Sequence, residues 1–437
     1  MTISSGVMTF TVAQTGDIGV GDVVLANSIE YMIVGKTSQT IWSVRNINGT
    51  SASNVGTPTA VTSIKRAFNA LADALDGTAS SSGIYGEIGT SNLVSNTFKI
   101  YLACYDDGDD TSLTKINGDW TCNSSYNFII YTPTNTTNQC NNSQRHDGTY
   151  DGDGYTLKST DGSSYHWNIG CGINDLKIYG LRVIRTSSNW SYGAGIAHNY
   201  QNFTSGKSGI RNEVAFNAMF SDSGADSSGA IFQWVHTGSD SGYGSSIHDN
   251  FIGSYGTVNE YGIEFSANYQ TTASRQMKIY NNTIVGSYDN YGFEIDVGNS
   301  SGSSYLPLIK NNYVYSTDST ADYGFIGSDY SNATSNFAYN KSDDTSAGTA
   351  NNNGQVSLAN AAFVNTTYAT MNLHLQSSSS LRNAGIGKSS DSNVSQYDID
   401  GDDRGAASTT TDVGADFYPS AVSVHVPQHI FQAKGAI

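Results

Sequence analysis

The sequence predicts an all-β chain wound as a parallel β-solenoid, and three observations predict it. The first is a repeat. The segments IRNEVAFNAMF, SIHDNFIGSYG, KIYNNTIVGSY, LIKNNYVYSTD and SNFAYNKSDD each centre on an Asn between apolar residues: Asn217, Asn250, Asn282, Asn312 and Asn340. Their spacings are 33, 32, 30 and 28 residues, and a near-constant period marks one structural unit stacked on its neighbours. The second is alternation of apolar residues over short runs such as IKNNYVY and GFEID, the period of a strand. The third is the linkers, which are Ser, Thr, Asp, Gly and Asn. With only 5 Pro in 437 residues, long ladders of paired strands are unobstructed.

A second register follows the Asn column, with GAIFQ from Gly229, GIEFS from Gly262, GFEID from Gly292 and GFIGS from Gly324. IYGLRVI and GAGIAH add a preceding coil, with Gly180 in the Asn column. Asn and Gly both tolerate the left-handed conformation that a sharp corner needs. Stacked Asn side chains would also hydrogen-bond along the column. The pattern I-x-N-N-x-I followed by G-[IF]-x-[FI] resembles the right-handed parallel β-helix repeat family of pectin-type lyases, phage tailspikes and surface proteins. The resemblance covers roughly residues 86 to 418. It implies the fold and leaves function open, because that fold hosts unrelated activities.

In chain order, residues 1–60 read as a small N-terminal β-domain for attachment or assembly, its strands drawn from FTVAQTGDIGVGDVVLA, EYMIVGKT and TIWSVRNING. Residues 61–85 read as a capping helix and linker. Thr62 or Ser63 caps a helix from Thr62 to Leu75 that sets Ile64, Phe68, Leu71 and Leu75 on one face. An open solenoid end exposes strand edges and apolar core, so this helix is expected to plug the first coil, as capping helices do in the resembled family. Residues 86–345 are the parallel β-helix, and 346–437 a C-terminal closing unit and tail. YDIDGDDRG followed by DVGADFY resembles the D-x-D-G-x-x-R and D-x-G-A elements that end the solenoid in many members. The tail 421–437 alternates apolar residues and reads as an edge strand or a segment pairing with another subunit.

Composition narrows the function. A net charge of −17 supplies no basic stripe for nucleic acid or an anionic membrane, and no apolar run reaches the length of a span. With 28 Tyr, 16 Phe and 14% charged residues, the chain is not of disordered composition. It suits an extracellular or virion protein. The opening MTISSGVMTFTVAQTG shows neither a basic n-region nor an apolar h-region, so no signal peptide is visible. Either a leader lies outside this sequence or the protein leaves its cell by another route, such as inside a virion. Cys104, Cys122, Cys140 and Cys171 fall in the first coils. The 18-residue steps between the first three suit adjacent rungs, as structural thiols or in a disulfide, with three pairings open. No C-x-x-C pair supports a metal.

Four constellations are candidates for chemistry. Glu264 and Glu294 follow Gly262 and Gly292 by two residues, so they are expected on neighbouring strands about 4.8 Å apart, with Asp296 close by. Such a carboxylate pair suits glycoside hydrolysis; the alternative is a solvated acidic face or a subunit contact. The G-H-G and R-I-K motifs of the pectinase-like members do not occur. Calcium has two candidate loops, Asp106–Asp110 and one formed by Asp398, Asp400 and Asp402, whose alternative is turn capping with pairing to Arg404. Tyr261, Tyr291 and Tyr323, with Trp234, Trp190 and Trp167 on the same flank, form a column that would stack sugar rings, dock a subunit or stack internally. His146, His166, His198, His236 and His248 are scattered and read as surface or stacking residues. The sequence thus points to a non-enzymatic structural or adhesive protein of a virion or extracellular assembly. Its expected partners are copies of itself, other structural subunits or cell-surface polysaccharide, with no cofactor beyond a structural Ca2+. The alternative is a polysaccharide lyase or glycoside hydrolase.

Overall fold

A computed structural model describes residues 1–75, 83–116, 120–159, 167–185, 194–199, 211–221, 227–236, 244–254, 259–267, 276–297, 306–317, 321–326 and 330–419. Its main body is a right-handed parallel β-helix of three sheets, with eight, eight and seven strands. A typical coil places Lys278–Tyr280 in the first sheet, Thr283–Gly286 in the second and Tyr291–Val297 in the third. The sheets run from Ile100–Ala103, Thr156–Ser159 and Thr114–Ile116 to Phe337–Ala338, Gly354–Gln355 and Ala321–Ile326. The core is columnar: Ile247, Ile279 and Ile309 from the first sheet meet Ile252, Ile284 and Val314 from the second and Ile263, Phe265, Phe293 and Ile295 from the third.

Two residues turn the chain from the first sheet into the second. The left-handed residue is the one before each ladder Asn: Phe216, Asp249, Asn281, Asn311 and Tyr339 have φ between 52° and 60°. The expectation that the Asn column itself is left-handed is therefore corrected. Gly180 (φ 73°) belongs to this corner column, and Leu181 holds the ladder position in its coil. A Cβ at Gly180 would run into Thr132 and Arg145.

Asn217, Asn250, Asn282, Asn312 and Asn340 point inward and are fully buried. Asn282 illustrates the ladder. Its Nδ2 donates to Asn312 Oδ1 (2.9 Å), Tyr280 O (3.0 Å) and Ile247 O (3.1 Å). Its Oδ1 accepts from Asn250 N (3.2 Å) and Asn250 Nδ2 (2.9 Å). The ladder Asn side chain is thus satisfied within its own coil and from both neighbouring coils, as a dry interior requires. Asn353, unmarked by the repeat, ends the ladder by accepting from Asn340 N at 2.9 Å.

The N-terminal unit is a six-stranded antiparallel sheet around Met8, Tyr31, Ile33 and fully buried Trp42. It extends to Arg66, not residue 60, because Val61–Arg66 is a strand paired with Asp22–Ala26. This overturns the first half of the expected helix. Thr62 and Ile64 also alternate at strand period, and pairing with an existing edge decides for the strand. The helix is only Leu71–Leu75, with Asp110 Oδ2 accepting from Leu71 N at 2.8 Å. Leu71, Ala74, Leu75 and Ile84 of a second short helix, Gly83–Ile88, join the solenoid core. The sheet docks on the first coils. Lys36 Nζ donates to Thr136 O (2.6 Å) and Cys140 O (2.8 Å), and Arg66 pairs with Asp22 (2.7 Å) and Asp107 (2.5 Å).

The closing unit, from about residue 356, folds back along the side of the coils. Phe363, Met371, Leu373, Leu381, Ile399 and Val413 cover Phe220, Phe251, Val285 and Tyr313 on the outer face of the second sheet. That sheet is buried on both faces, which is why AMFS, FIGS and TIVG lack clean alternation. Among the described residues no helix is long and apolar enough to cross a membrane.

Candidate functional site

The third sheet brings the expected carboxylates together. Glu264 and Glu294 are in register on adjacent parallel strands, as are Tyr261 and Tyr291 two steps before Ile263 and Phe293. Ile263, Phe265, Phe293 and Ile295 point into the core, so Glu264, Ser266, Glu294 and Asp296 lie on the opposite face. Asp296 accepts from Ser266 Oγ at 3.1 Å. Glu264 is half-buried, and Glu294 is buried at 6% exposure. The Tyr261 and Tyr291 rings stack with centroids 6.5 Å apart at 23°, and Asn290 Nδ2 donates to Tyr261 Oη. Both rings are partly exposed.

The column breaks at Tyr323. Tyr291 is in register with Ala321, and Phe293 with Tyr323. Tyr323 is therefore a core residue, 2% exposed, with its hydroxyl donating to Asn312 O at 3.1 Å. The sequence motif misleads because Gly324 aligns with Glu294, not Gly292. Gly324 lacks a side chain where the Tyr291 ring lies over it. Gly229 is likewise out of step with Gly262, because Ala230 pairs with Tyr261 beyond a bulge. Trp234 is in register with Phe265. Its side chain, those of Trp167, His198 and His236, and the whole of Trp190, His166 and the tail 421–437 lie outside the described residues.

The ionisable groups concentrate elsewhere, in the seam between the corner and the closing unit. Arg404 is buried and reaches back to left-handed Asp249 (2.9 Å) and to the Ala415 carbonyl (2.8 Å). The expected pairing of Arg404 with its own loop is corrected: a residue 155 positions upstream holds it. Asp249 Oδ2 and Glu213 take the two nitrogens of His248 at 2.7 and 3.3 Å. Burial alone would lower the His248 pKa, but these two carboxylates lift it to about 9. His146, expected as a surface or stacking residue, is buried with Nε2 on Phe216 O (2.8 Å), and burial together with Arg145 pushes its pKa down to about 4.

In the D-x-D-G loop the three acidic residues do not converge. Asp398 is fully buried, and its Oδ1 accepts from the backbone N–H groups of Asp400, Gly401 and Asp402 at 3.0, 2.8 and 2.7 Å. Its Oδ2 accepts from Phe417 N. This is turn capping. Asp400 turns away to His374, whose Nε2 is 2.8 Å from its Oδ2. Asp416 completes a group of three with them. The sequence offers no local mark of this grouping, because its members come from three segments. The other acidic loop is also occupied by capping and pairing: Asp107 holds Arg66, and Asp110 accepts from Ser112 N (3.0 Å) and Tyr155 Oη (2.8 Å).

The cysteines are not disulfide-bonded. Cys104 and Cys171 face the core, where burial pushes the Cys171 thiol up to about 12. Cys140 lies under the N-terminal sheet, bridged to Gly19, and Cys122 is partly buried. The 18-residue steps carry no pairing, and the thiols stand as free cysteines. A cavity of about 920 Å³ lies between the N-terminal sheet and these coils, lined by Met32, Arg66, Phe68, Tyr101 and Cys104 among others. Comparison with protein-family models, with curated proteins and with solved structures found no match to this chain.

Proposed function

We propose that this chain is a structural, ligand-contacting β-helix protein of a virion or other extracellular assembly, presenting the outer face of its third sheet to glycan or to a neighbouring subunit. The observation that carries this reading is the stacked, partly exposed Tyr261–Tyr291 pair beside the in-register Glu264 and Glu294. Flat aromatic rings bind the apolar faces of sugars, and carboxylates accept from sugar hydroxyls. A rigid sheet fixes both without an ordering cost. The composition, rich in Tyr, Ser, Thr and Asn and low in charge, agrees with an extracellular surface. The test is a glycan-array and electron-microscopy comparison of the wild type with Tyr261→Ala/Tyr291→Ala. Glycan retention or defined assemblies in the wild type, lost in a double variant with unchanged melting temperature, is the expected result. Monomers that bind no glycan would overturn the reading.

The same carboxylate register favours one second reading, polysaccharide cleavage. Adjacent parallel strands hold Glu264 and Glu294 at a spacing near the roughly 5 Å of retaining glycosidases. Turnover of any glycan by the wild type, abolished by Glu294→Gln, would replace the first reading with this one.

A further inference from the structure

We propose that His374, Asp400 and Asp416 form a site for one divalent transition-metal cation that staples the closing unit. One ligand atom from each residue lies within 4.8 Å of the other two, so a small closure brings all three to the roughly 2.0–2.2 Å at which such donors hold a single ion. The three come from separate segments: His374 from the strand Asn372–Leu375, Asp400 from the acidic turn, and Asp416 from the stretch that follows Val413.

Each ligand is pre-oriented by a second hydrogen bond. His374 Nδ1 is 2.6 Å from Asn372 Oδ1, an oxygen identified as the acceptor because His374 N also donates to it. This bond fixes the tautomer that leaves Nε2 facing the carboxylates, the outer-shell arrangement of a metal-ligating histidine. The His374 ring is further held edge-on to Phe251, with centroids 5.1 Å apart. Asp416 Oδ2 accepts from Leu375 N at 2.6 Å, leaving its other oxygen for a ligand. The turn that Asp398 caps fixes the Asp400 backbone through its N–H at 3.0 Å.

The electrostatics ask for positive charge. Asp398 and Asp416 are buried, and together with Asp400 they crowd three carboxylates into one seam. Arg145, which donates to Ile399 O at 2.7 Å, offsets part of that charge. The way in is open, since the His374 and Asp400 side chains are 19% and 34% exposed, and water can complete the coordination. An imidazole with two carboxylates suits Zn2+, Mn2+ or Co2+ better than Ca2+, which takes oxygen donors. In binding, the cation takes the place of the direct contact between Nε2 and Asp400.

The test uses the full chain, stripped with a chelator and then offered ZnCl2, CoCl2, MnCl2 or CaCl2. Metal retained after gel filtration is measured by mass spectrometry, together with the melting temperature and the visible spectrum of the Co2+ form. A single equivalent of Zn2+ or Co2+, a raised melting temperature and a Co2+ ligand-field band are expected. Asp400→Asn and His374→Gln should weaken retention by at least the roughly 10–100-fold that loss of an outer-shell partner costs, while Asp106→Asn in the other acidic loop should not. Folding of each variant is checked by near-ultraviolet circular dichroism. If a variant misfolds, X-ray absorption on the wild-type Zn2+ form must show one imidazole in the first shell. Folded wild type that retains no metal overturns the proposal, as does equal retention by folded Asp400→Asn. Preference for Ca2+ with loss in Asp402→Asn would also overturn it, by placing the ion in the turn.

Discussion

The Asn corner and the third sheet are parts of the same coils, yet they follow different rules. Along the corner the register never slips: Asn217, Asn250, Asn282, Asn312, Asn340 and Asn353 meet in sequence. Along the third sheet a bulge interrupts Ser227 to Ala230, and the Gly residues that look equivalent are offset by two. The outward position there runs Glu264, Glu294, Gly324. From Asn217 to Asn340 each ladder side chain is fully buried and completes its neighbour's hydrogen bonds, so truncating one strands polar atoms. An outward position on a sheet faces no such demand, and its chemistry can follow a ligand instead. Constraint marks the scaffold, and variation marks the face that presents something.

The largest expected effect tests the scaffold half of this contrast. Asn282→Ala removes the acceptor of the Asn250 N–H and three donations inside a dry corner. Orphaned buried groups of this kind cost about 3 kcal/mol in total, measurable by denaturant titration. A loss under about 1 kcal/mol would mean that the ladder is no more demanding than the sheet.

A second prediction concerns pH at the seam. The folded pKa of His248, about 9, lies above its ordinary value of 6.5 because of Asp249 and Glu213, the latter also held by Lys177 at 2.7 Å. Its stabilisation is therefore complete below pH 6.5 and is lost as pH rises through 9. The amount is on the order of 3 kcal/mol. His248→Gln should remove that part of the pH dependence, read as the difference between wild-type and variant unfolding curves. Parallel curves would place no such proton at the seam.

The smallest effect sharpens the other half. Glu264→Gln keeps the shape of the third sheet and should shift stability by no more than about 1 kcal/mol while changing ligand contact. A loss as large as that of Asn282→Ala would remove the distinction between scaffold and face.

Much of this was legible along the chain. The period, the alternation and the Asn column specify a stacked parallel solenoid, because each coil must bury the same stripe and satisfy the same corner. The pairing of Glu264 with Glu294 followed from that period. The offset of Tyr323 did not. Tyr-Gly-Phe occurs in both coils, and only the competition for core volume shows that Tyr323 fills the position of Phe293. The helix begun at Thr62 failed similarly, since a free strand edge on the N-terminal sheet outweighed local amphipathicity.

By itself, then, the sequence determined what repeats: strand, corner, ladder and the stacked carboxylates. Tertiary structure alone decided what meets across long separations. It set Arg404 on Asp249, laid the closing unit along the second sheet, and gathered His374, Asp400 and Asp416. The physical reason is one of range. A repeat is enforced by hydrogen bonds between neighbouring coils and is therefore written periodically, whereas a buried charge is satisfied by whichever segment folds over it, and no local pattern records that encounter.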